Sequence, residues 1–455
     1  MRPPPWFVRS PSPRADETDT AALTSESIAL AGDIVGWRRH LHRVPEPGFG
    51  EFQTATFVSE YLRSVGWDVR TAEQAMDAGS VLSKDDQRIE RAGRAAIDAA
   101  ISPSEVNRMR EFGTAVVAEL ELGGGPLVGI RVDMDGLPIP EATGDEHAPA
   151  SGGFRSTLEG EMHACGHDGH VAMALGVATA LARRRELLRG TVRLIVQPAE
   201  EGALGGAAAI AATGAADDLD AIVCCHLGLG IPSGSFVARG VLMGTTKLRV
   251  TYEGHPSHPV LAPHEGHNAL LAGASAALAM HAIAPHPRGW FNLNVGVLRS
   301  GESQGVSPSQ AVLELGVWAS STEVQEYVRE RVREVAVGVA ATWNVAVEME
   351  HIGEAPLAEQ SETLGALAAD VARSVPGIEH VLDTVEIAAA DDATLLIEQV
   401  RRHGGRGIYG VIGSDLADGH HTSHFDFDEK SLVHGTCILA GVVGRLLDAT
   451  DDHTD

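Results

Sequence analysis

The chain has 455 residues, of which 44% are hydrophobic and 21% charged, a size and balance that suit one large globular domain carrying a smaller one. A formal net charge of −27 argues against nucleic acid and anionic membrane surfaces as partners, since both attract basic proteins. No run approaches ~20 uninterrupted apolar residues, so no membrane-spanning helix is expected, and four cysteines, two of them adjacent at Cys224 and Cys225, suit no disulfide framework and point to a reducing cytoplasm.

Residues 1–25 begin MRPPPWFVRS, are Pro-rich and polar, lack the apolar centre of a secretory signal, and are expected to form a disordered extension. The spacing of Ile34, Trp37 and Leu41 predicts a helix, Pro45 to Gly50 a turn, and Thr54 to Val65 a second helix. Residues 73–121, rich in Ala, Asp, Arg and Glu with apolar residues at helical spacing, read as an extra helical segment. From Leu127 the texture changes. Short apolar runs end abruptly in polar clusters: LVGIRV before Asp133, TVRLIV before Gln197, AIVC before Cys225 and IYGVI before Gly413. Helical stretches 169–185 and 205–213 lie between several of them. Buried strands alternating with helices predict an α/β class with a mostly parallel sheet covered on both faces.

Between about 245 and 352 the order becomes strand KLRVTY, helix 267–283, strands NLNVGVL and AVLELGVW, helix 323–341 and strand VAVEME. That is the β-α-β-β-α-β order of a ferredoxin-like unit. It divides a catalytic domain into parts 26–244 and 353–449, the second opening on helix 362–374, and leaves a tail at 450–455.

His163-Ala164-Cys165-Gly166-His167-Asp168-Gly169-His170 is the densest chemical signal. Cys165 and His167 can aim at one centre from an extended turn, and such N/S donors suit zinc or a similar ion, although a loop merely rich in histidine would look the same. Asp168 is placed where a helix N-cap belongs. Glu200 and Glu201, at the exit of TVRLIV, either stabilise a helix start or divide into a metal ligand and a free base. His226 directly follows a strand, and His420-His421 follow IYGVIG and its loop. Each is weak alone. Four separate strand exits delivering candidate ligands are hard to ascribe to coincidence.

The runs RVDMDGL, HACGHDGH, QPAEEG, EGHNALL and HHTSHFDFDE, with His226, resemble the dinuclear-metal aminoacylase and hippurate hydrolase superfamily, and most of all its p-aminobenzoyl-glutamate hydrolase branch, from Trp37 to Leu447. The resemblance implies a metal-dependent amidohydrolase acting on N-acyl amino acids, with two divalent ions (manganese or zinc) on Cys165, His167, Glu201, His226 and His421. It further implies Glu200 as catalytic base, Asp133 and Asp135 beside the metals, and an inserted lid that pairs in a homodimer or with a related subunit. In the run Glu253-Gly254-His255-Pro256-Ser257-His258, the family pattern makes His258 a lid histidine that steadies the oxyanion, in its own site or a partner's. His421 is preferred to His420 for its spacing from Phe425.

Three positions depart from the pattern: Gly305 stands where relatives carry Asn, Trp318 where they carry an Arg that holds the substrate carboxylate, and Asp391-Asp392 where Glu-Asp is usual. An indole has one donor and no charge and cannot reproduce a guanidinium's bidentate grip. Hydrolysis is therefore expected to survive while selectivity moves toward a less anionic or differently anchored acyl-amino acid. The competing readings are a dipeptidase of the same fold and a catalytically weak metal-binding subunit.

Overall fold

The computed structural model describes residues 15–81, 83–201 and 205–448. Its strands in chain order are β1 (Asp68–Thr71), β2 (Val116–Glu121), β3 (Leu127–Asp133), β4 (Thr191–Gln197), β5 (Ala221–Leu227), β6 (Ser235–Val241), β7 (Gly244–Glu253), β8 (Phe291–Ser300), β9 (Gln310–Ala319), β10 (Ala346–Ala355), β11 (His380–Glu386) and β12 (Arg406–Ile412). They form two sheets, an eight-stranded one ordered β1-β2-β4-β3-β5-β12-β6-β11 and a four-stranded one ordered β10-β7-β9-β8.

The heart of the large sheet is the parallel run β4-β3-β5-β12. Its strands are the four apolar runs that end in polar clusters; β5 is buried at every position, as expected of a strand covered on both faces. Asp133 lies beside Gln197 and His226 beside Val411, so the exits of all four strands open on one edge. Antiparallel pairings attach β2 to β4, β1 to β2 and β6 to β12, while β11 runs parallel to β6.

Helix His167–Arg183, apolar nearly all round, is buried along most of its length and packs with helices Ala31–His42 and Lys430–Asp448. Lys430–Asp448 has the length and composition to cross a membrane, with mean hydropathy 1.3, but 78% of that stretch is buried inside the molecule, which makes it a core helix. Helices Gly206–Ala211 and Ala393–Arg402 pack together and reach β4, β5 and β12.

Two sequence expectations are corrected. The disordered extension does not reach residue 25: Ala15–Ala29 is a helix packed on Lys430–Asp448, with Leu23 and Ser27 fully buried. Leu23, Ser27 and Leu30 follow one another at i, i+4 and i+7, which gives the helix a face to bury. Residues 1–14 and the expected tail 450–455 lie outside the described residues. The segment 73–121 holds two capped helices, Asp86–Asp98 and Pro103–Phe112, but it ends in β2, a strand whose alternation was hidden because both of its faces are covered.

In the small sheet all pairings are antiparallel, in the ferredoxin-like order. Helices Ala269–His281 and Thr322–Trp343 cover one face, where Leu248, Val250 and Tyr252 of β7 are buried in a hydrophobic cluster separate from that of the large sheet. The alternate residues Thr245, Lys247 and Arg249 lie on the other face.

Candidate metal centre

At the open edge of the large sheet, histidine tautomers are fixed by their partners. His226 donates its Nδ1–H to the Leu227 carbonyl at 2.8 Å, which leaves the Nε2 lone pair facing the Cys165 sulfur at 3.4 Å. His170 accepts from the Leu227 N–H at Nε2 (3.0 Å) and so donates from Nδ1 to Asp133 Oδ1. His167 Nδ1 lies 3.0 Å from the Asp135 carbonyl, and this contact turns its Nε2 inward. Such outer partners orient ligands and fix which nitrogen is free.

The tandem glutamates take separate directions. Ala199, with φ of 50°, adopts a left-handed backbone conformation that costs a non-glycine residue roughly 1–2 kcal/mol. The turn lets the N–H groups of Glu200 and Glu201 both donate to the Asp135 carboxylate, at 3.1 and 2.9 Å. Glu201 then groups with Cys165 and His421, whereas Glu200 groups with Asp391 and Asp392, each set holding its ligand atoms within 4.8 Å of one another. A third set joins Cys165, His167 and His226, and a fourth joins His167, Glu200 and Glu201. Cys165, His167, Glu201, His226 and His421 are thereby linked into one cluster.

The two adjacent histidines also separate. His421 has φ of 63° and brings Nε2 to 3.1 Å from Glu201 Oε1. His420 instead accepts the Leu229 N–H at Nε2 (3.1 Å) and directs its Nδ1–H at the Cys165 sulfur, 3.7 Å away. Both of its ring nitrogens are thereby engaged by the protein.

Divalent cations fit this donor set. His167 Nε2 and Glu201 Oε1 are buried without a hydrogen-bond partner; the approach of His421 to Glu201 has an ion-pair distance but not hydrogen-bond geometry. Buried orphan lone pairs are costly unless something electropositive meets them. Burial, then Glu201 and Glu200, push the Cys165 thiol well above its usual range. Burial, then Asp391, Glu201 and Asp392, do the same to the Glu200 carboxyl. Asp392 is raised to about 7 by burial, even though Arg131 opposes it. His167 moves the other way: burial disfavours its charge, but Asp133 and Asp135 outweigh burial and raise it to about 10. Among the acids Glu201 is the exception, held below its usual range against burial by His421 and His167; around Cys165 and Glu200 the acid exceeds what neighbouring cations offset, and bound dications would balance it.

A buried frame holds the centre. Arg131, on β3 and fully buried, donates to Gln197 Oε1 at 2.8 Å, Asp133 Oδ2 at 2.9 Å and Asp391 Oδ2 at 3.0 Å, and lies 3.3 Å from Asp392 Oδ1. Tyr409 donates its hydroxyl to the same Asp391 oxygen at 2.8 Å. On the other side Asp168 pairs with Arg38 (2.9 Å) and His42 (2.8 Å), and His42 reaches Glu141 at 2.9 Å. Asp168 is therefore not the helix cap expected from sequence. That position belongs to Gly166, whose φ of 93° is one that glycine adopts without strain.

A pocket of about 470 Å³ opens over the cluster, lined by Cys165, Glu200, Glu201, His226, His420 and His421 from the large sheet's side and by Thr245, Lys247 and Trp318 from the small sheet. His258 is not among its lining residues. It is exposed, and its Nδ1 accepts the N–H groups of Val260 and Leu261 at 3.2 and 3.1 Å. Sequence reasoning counted His170 within the run His163 to His170 but gave it no role of its own, and it passed over Arg131 and Lys247. His170 was within reach of it, lying one helical turn from His167; Arg131 sits inside an apolar strand, where pattern alone gives no hint of a charged partner.

An α/β sheet with thiol, imidazole and carboxylate donors gathered at its open edge, roofed by a ferredoxin-like unit, defines a metallohydrolase. The model of peptidase family M20/M25/M40 matches residues 129–445, and the chain belongs to that family. It is 39% identical over 415 residues to the indole-3-acetyl-aspartic acid hydrolase of Enterobacter agglomerans, covering 90% of this chain and 95% of that one. It is 37% identical over 416 residues to the A-type subunit of the p-aminobenzoyl-glutamate hydrolase of Escherichia coli, at 90% and 95% coverage. Among solved structures, the aminobenzoyl-glutamate utilization protein of Klebsiella pneumoniae superposes with a TM-score of 0.78 at 31% identity, over 93% of this chain and 98% of that one.

Proposed function

We propose that the chain hydrolyses the amide bond of N-acyl amino acids, with Cys165, His167, Glu201, His226 and His421 holding two divalent ions, manganese or zinc, and Glu200 serving as general base. The observation that carries the reading is the gathering of these donors, from the exits of β4, β5 and β12 and from the loop that leads into helix His167–Arg183, around the buried His167 Nε2 and Glu201 Oε1, which make no hydrogen bond among the described residues. When bound, the ions would polarise the substrate carbonyl and acidify the attacking water. Glu200 takes a proton from that water and returns it to the departing nitrogen, which lets the amine leave neutral. His420 and His170 keep Cys165, His226 and Asp133 oriented, and Arg131 keeps Asp391 and Asp392 beside Glu200.

Two relatives are named for an aromatic acyl group joined to an acidic amino acid, which supports a substrate of that form. Residues 245–352 are read as an inserted lid and dimerisation unit. The exposed position of His258 supports its service in a partner's site, in a homodimer or beside a related chain, and one relative is itself named as one subunit of a hydrolase. All four cysteines are free and buried, which supports a reducing cytoplasm.

The second reading, a metal-binding subunit that needs a sister chain for activity, is favoured by Gly305, by Trp318 and by the absence of His258 from the pocket. One experiment separates the two. The purified chain is stripped with a chelator, reloaded with manganese or zinc, and assayed on N-benzoylglycine, N-benzoyl-L-glutamate and p-aminobenzoyl-L-glutamate. Amino-acid release that requires the added metal supports the first reading; metal uptake without release supports the second.

A further inference from the structure

The pocket over the cluster receives one basic side chain from the small sheet, Lys247, beside the uncharged indole of Trp318. We infer that Lys247, on strand β7 of the small sheet, binds a carboxylate of the amino-acid half of the substrate through its ammonium. The inference rests on the amide-hydrolase reading and adds to it the group that selects the substrate.

The register of the small sheet sets the geometry. Thr245 lies opposite Trp318 and Lys247 opposite Gly316, and residues directly opposite in an antiparallel pair share a face. Thr245, Lys247 and Trp318 accordingly line the same pocket as Cys165, Glu200 and His421. Gly316 matters to this arrangement. A Cβ built there would come within 2.6 Å of Trp318 Cη2, so the indole folds back over the bare backbone at the position facing Lys247. Tryptophan thus forms an apolar wall beside the ammonium and leaves the charged role to the neighbouring strand.

Charge points the same way. Lys247 is the one lysine or arginine among the described residues that line the pocket. The sequence has three lysines, Lys84, Lys247 and Lys430, in a chain with 35 basic residues, so a lysine on this strand departs from the chain's own habit of using arginine. Burial is the larger influence and lowers the Lys247 pKa from its usual value, although the nearby carboxylates of Glu200, Glu201, Asp392 and Asp135 oppose it and favour the ammonium. Once cations compensate those carboxylates, an incoming substrate carboxylate becomes a strong counter-charge for the lysine. Every N-acyl amino acid carries one carboxylate on the carbon next to the scissile nitrogen, and aspartate or glutamate conjugates carry a second. A compact ammonium suits a single-point ion pair with either, without the planar matching an arginine imposes.

The test compares wild type, Lys247→Met and Lys247→Arg, all metal-loaded, on N-benzoyl-L-glutamate, N-benzoylglycine and N-benzoylglycinamide, which has no carboxylate. A charge-assisted contact of this kind corresponds to about 10- to 100-fold in binding. The expected result is a fall of that size in the preference of Lys247→Met for acid over amide, carried by KM rather than kcat, with Lys247→Arg retaining most of the preference. A loss on both acids assigns the carboxylate next to the amide; a loss on the glutamate conjugate alone assigns the side-chain carboxylate. An unchanged ratio of acid to amide overturns the inference. Calorimetric binding of N-benzoyl-L-glutamate to metal-loaded Glu200→Gln and to Glu200→Gln/Lys247→Met provides a readout without turnover. If wild type cleaves none of the three compounds, the hydrolase reading fails; if the added Lys247→Met change leaves binding intact, the lysine assignment fails.

Discussion

Glu200→Gln is expected to fold, to keep its full metal content and to lose about 10²–10⁴-fold in kcat, the range a positioned general base contributes. Glu200 stands next to Glu201, the proposed ligand, and groups with Asp391 and Asp392 as well as with His167 and Glu201, so the amide substitution removes a proton acceptor and leaves the Cys165, Glu201 and His421 set whole. The N–H groups of both glutamates are held by Asp135, which keeps the turn at Ala199 in place in the variant. Metal analysis beside single-turnover rates checks the separation. A variant that loses metal in parallel with activity would mean that Glu200 is a ligand and that some other residue is the base.

Arg131→Met is expected to damage stability most among single changes at the centre. The guanidinium is fully buried and faces Asp133, Asp391 and Asp392 together. Burial disfavours its charge, but those three carboxylates outweigh burial and hold its pKa well above even the usual arginine value. Methionine fills much of the space and answers none of the charge, and uncompensated buried carboxylates cost about 3–5 kcal/mol. Denaturant titration of the metal-loaded protein is expected to register that loss. The accompanying Asp391→Asn and Asp392→Asn changes, which remove part of the orphaned charge, are expected to restore some of it.

Much of this was legible in the amino-acid order because strand exits are marked twice, by the end of an apolar run and by the polar residue just beyond it. Asp133, Gln197, His226 and the loop after Ile412 were found that way, and HACGHDGH declared itself by donor density alone. Strands β6 and β11 were not found: β11 is exposed at most of its positions and carries polar residues on both faces, so neither alternation nor an apolar run marks it. The helix at Ala15–Ala29 was missed because the proline-rich opening masks the apolar spacing of the residues after it. Partners across the sheet are a different kind of loss. That Arg131 meets Asp391 and Asp392, or that Lys247 comes to share a pocket with Glu200, depends on segments far apart in the chain; the folded register alone brings them together. His420 and His421 illustrate the limit well, since adjacent identical residues are told apart only by the backbone twist at His421 and by the N–H of Leu229.

Anomalous diffraction from crystals of the manganese- or zinc-loaded protein tests the two-ion centre most directly. The expected map has two peaks about 3.5–4 Å apart, the usual span of a two-metal site, with the sulfur of Cys165 and the ring of His421 both bound within that pair. A single ion, or a pair that leaves either of those side chains outside its coordination, would contradict the account.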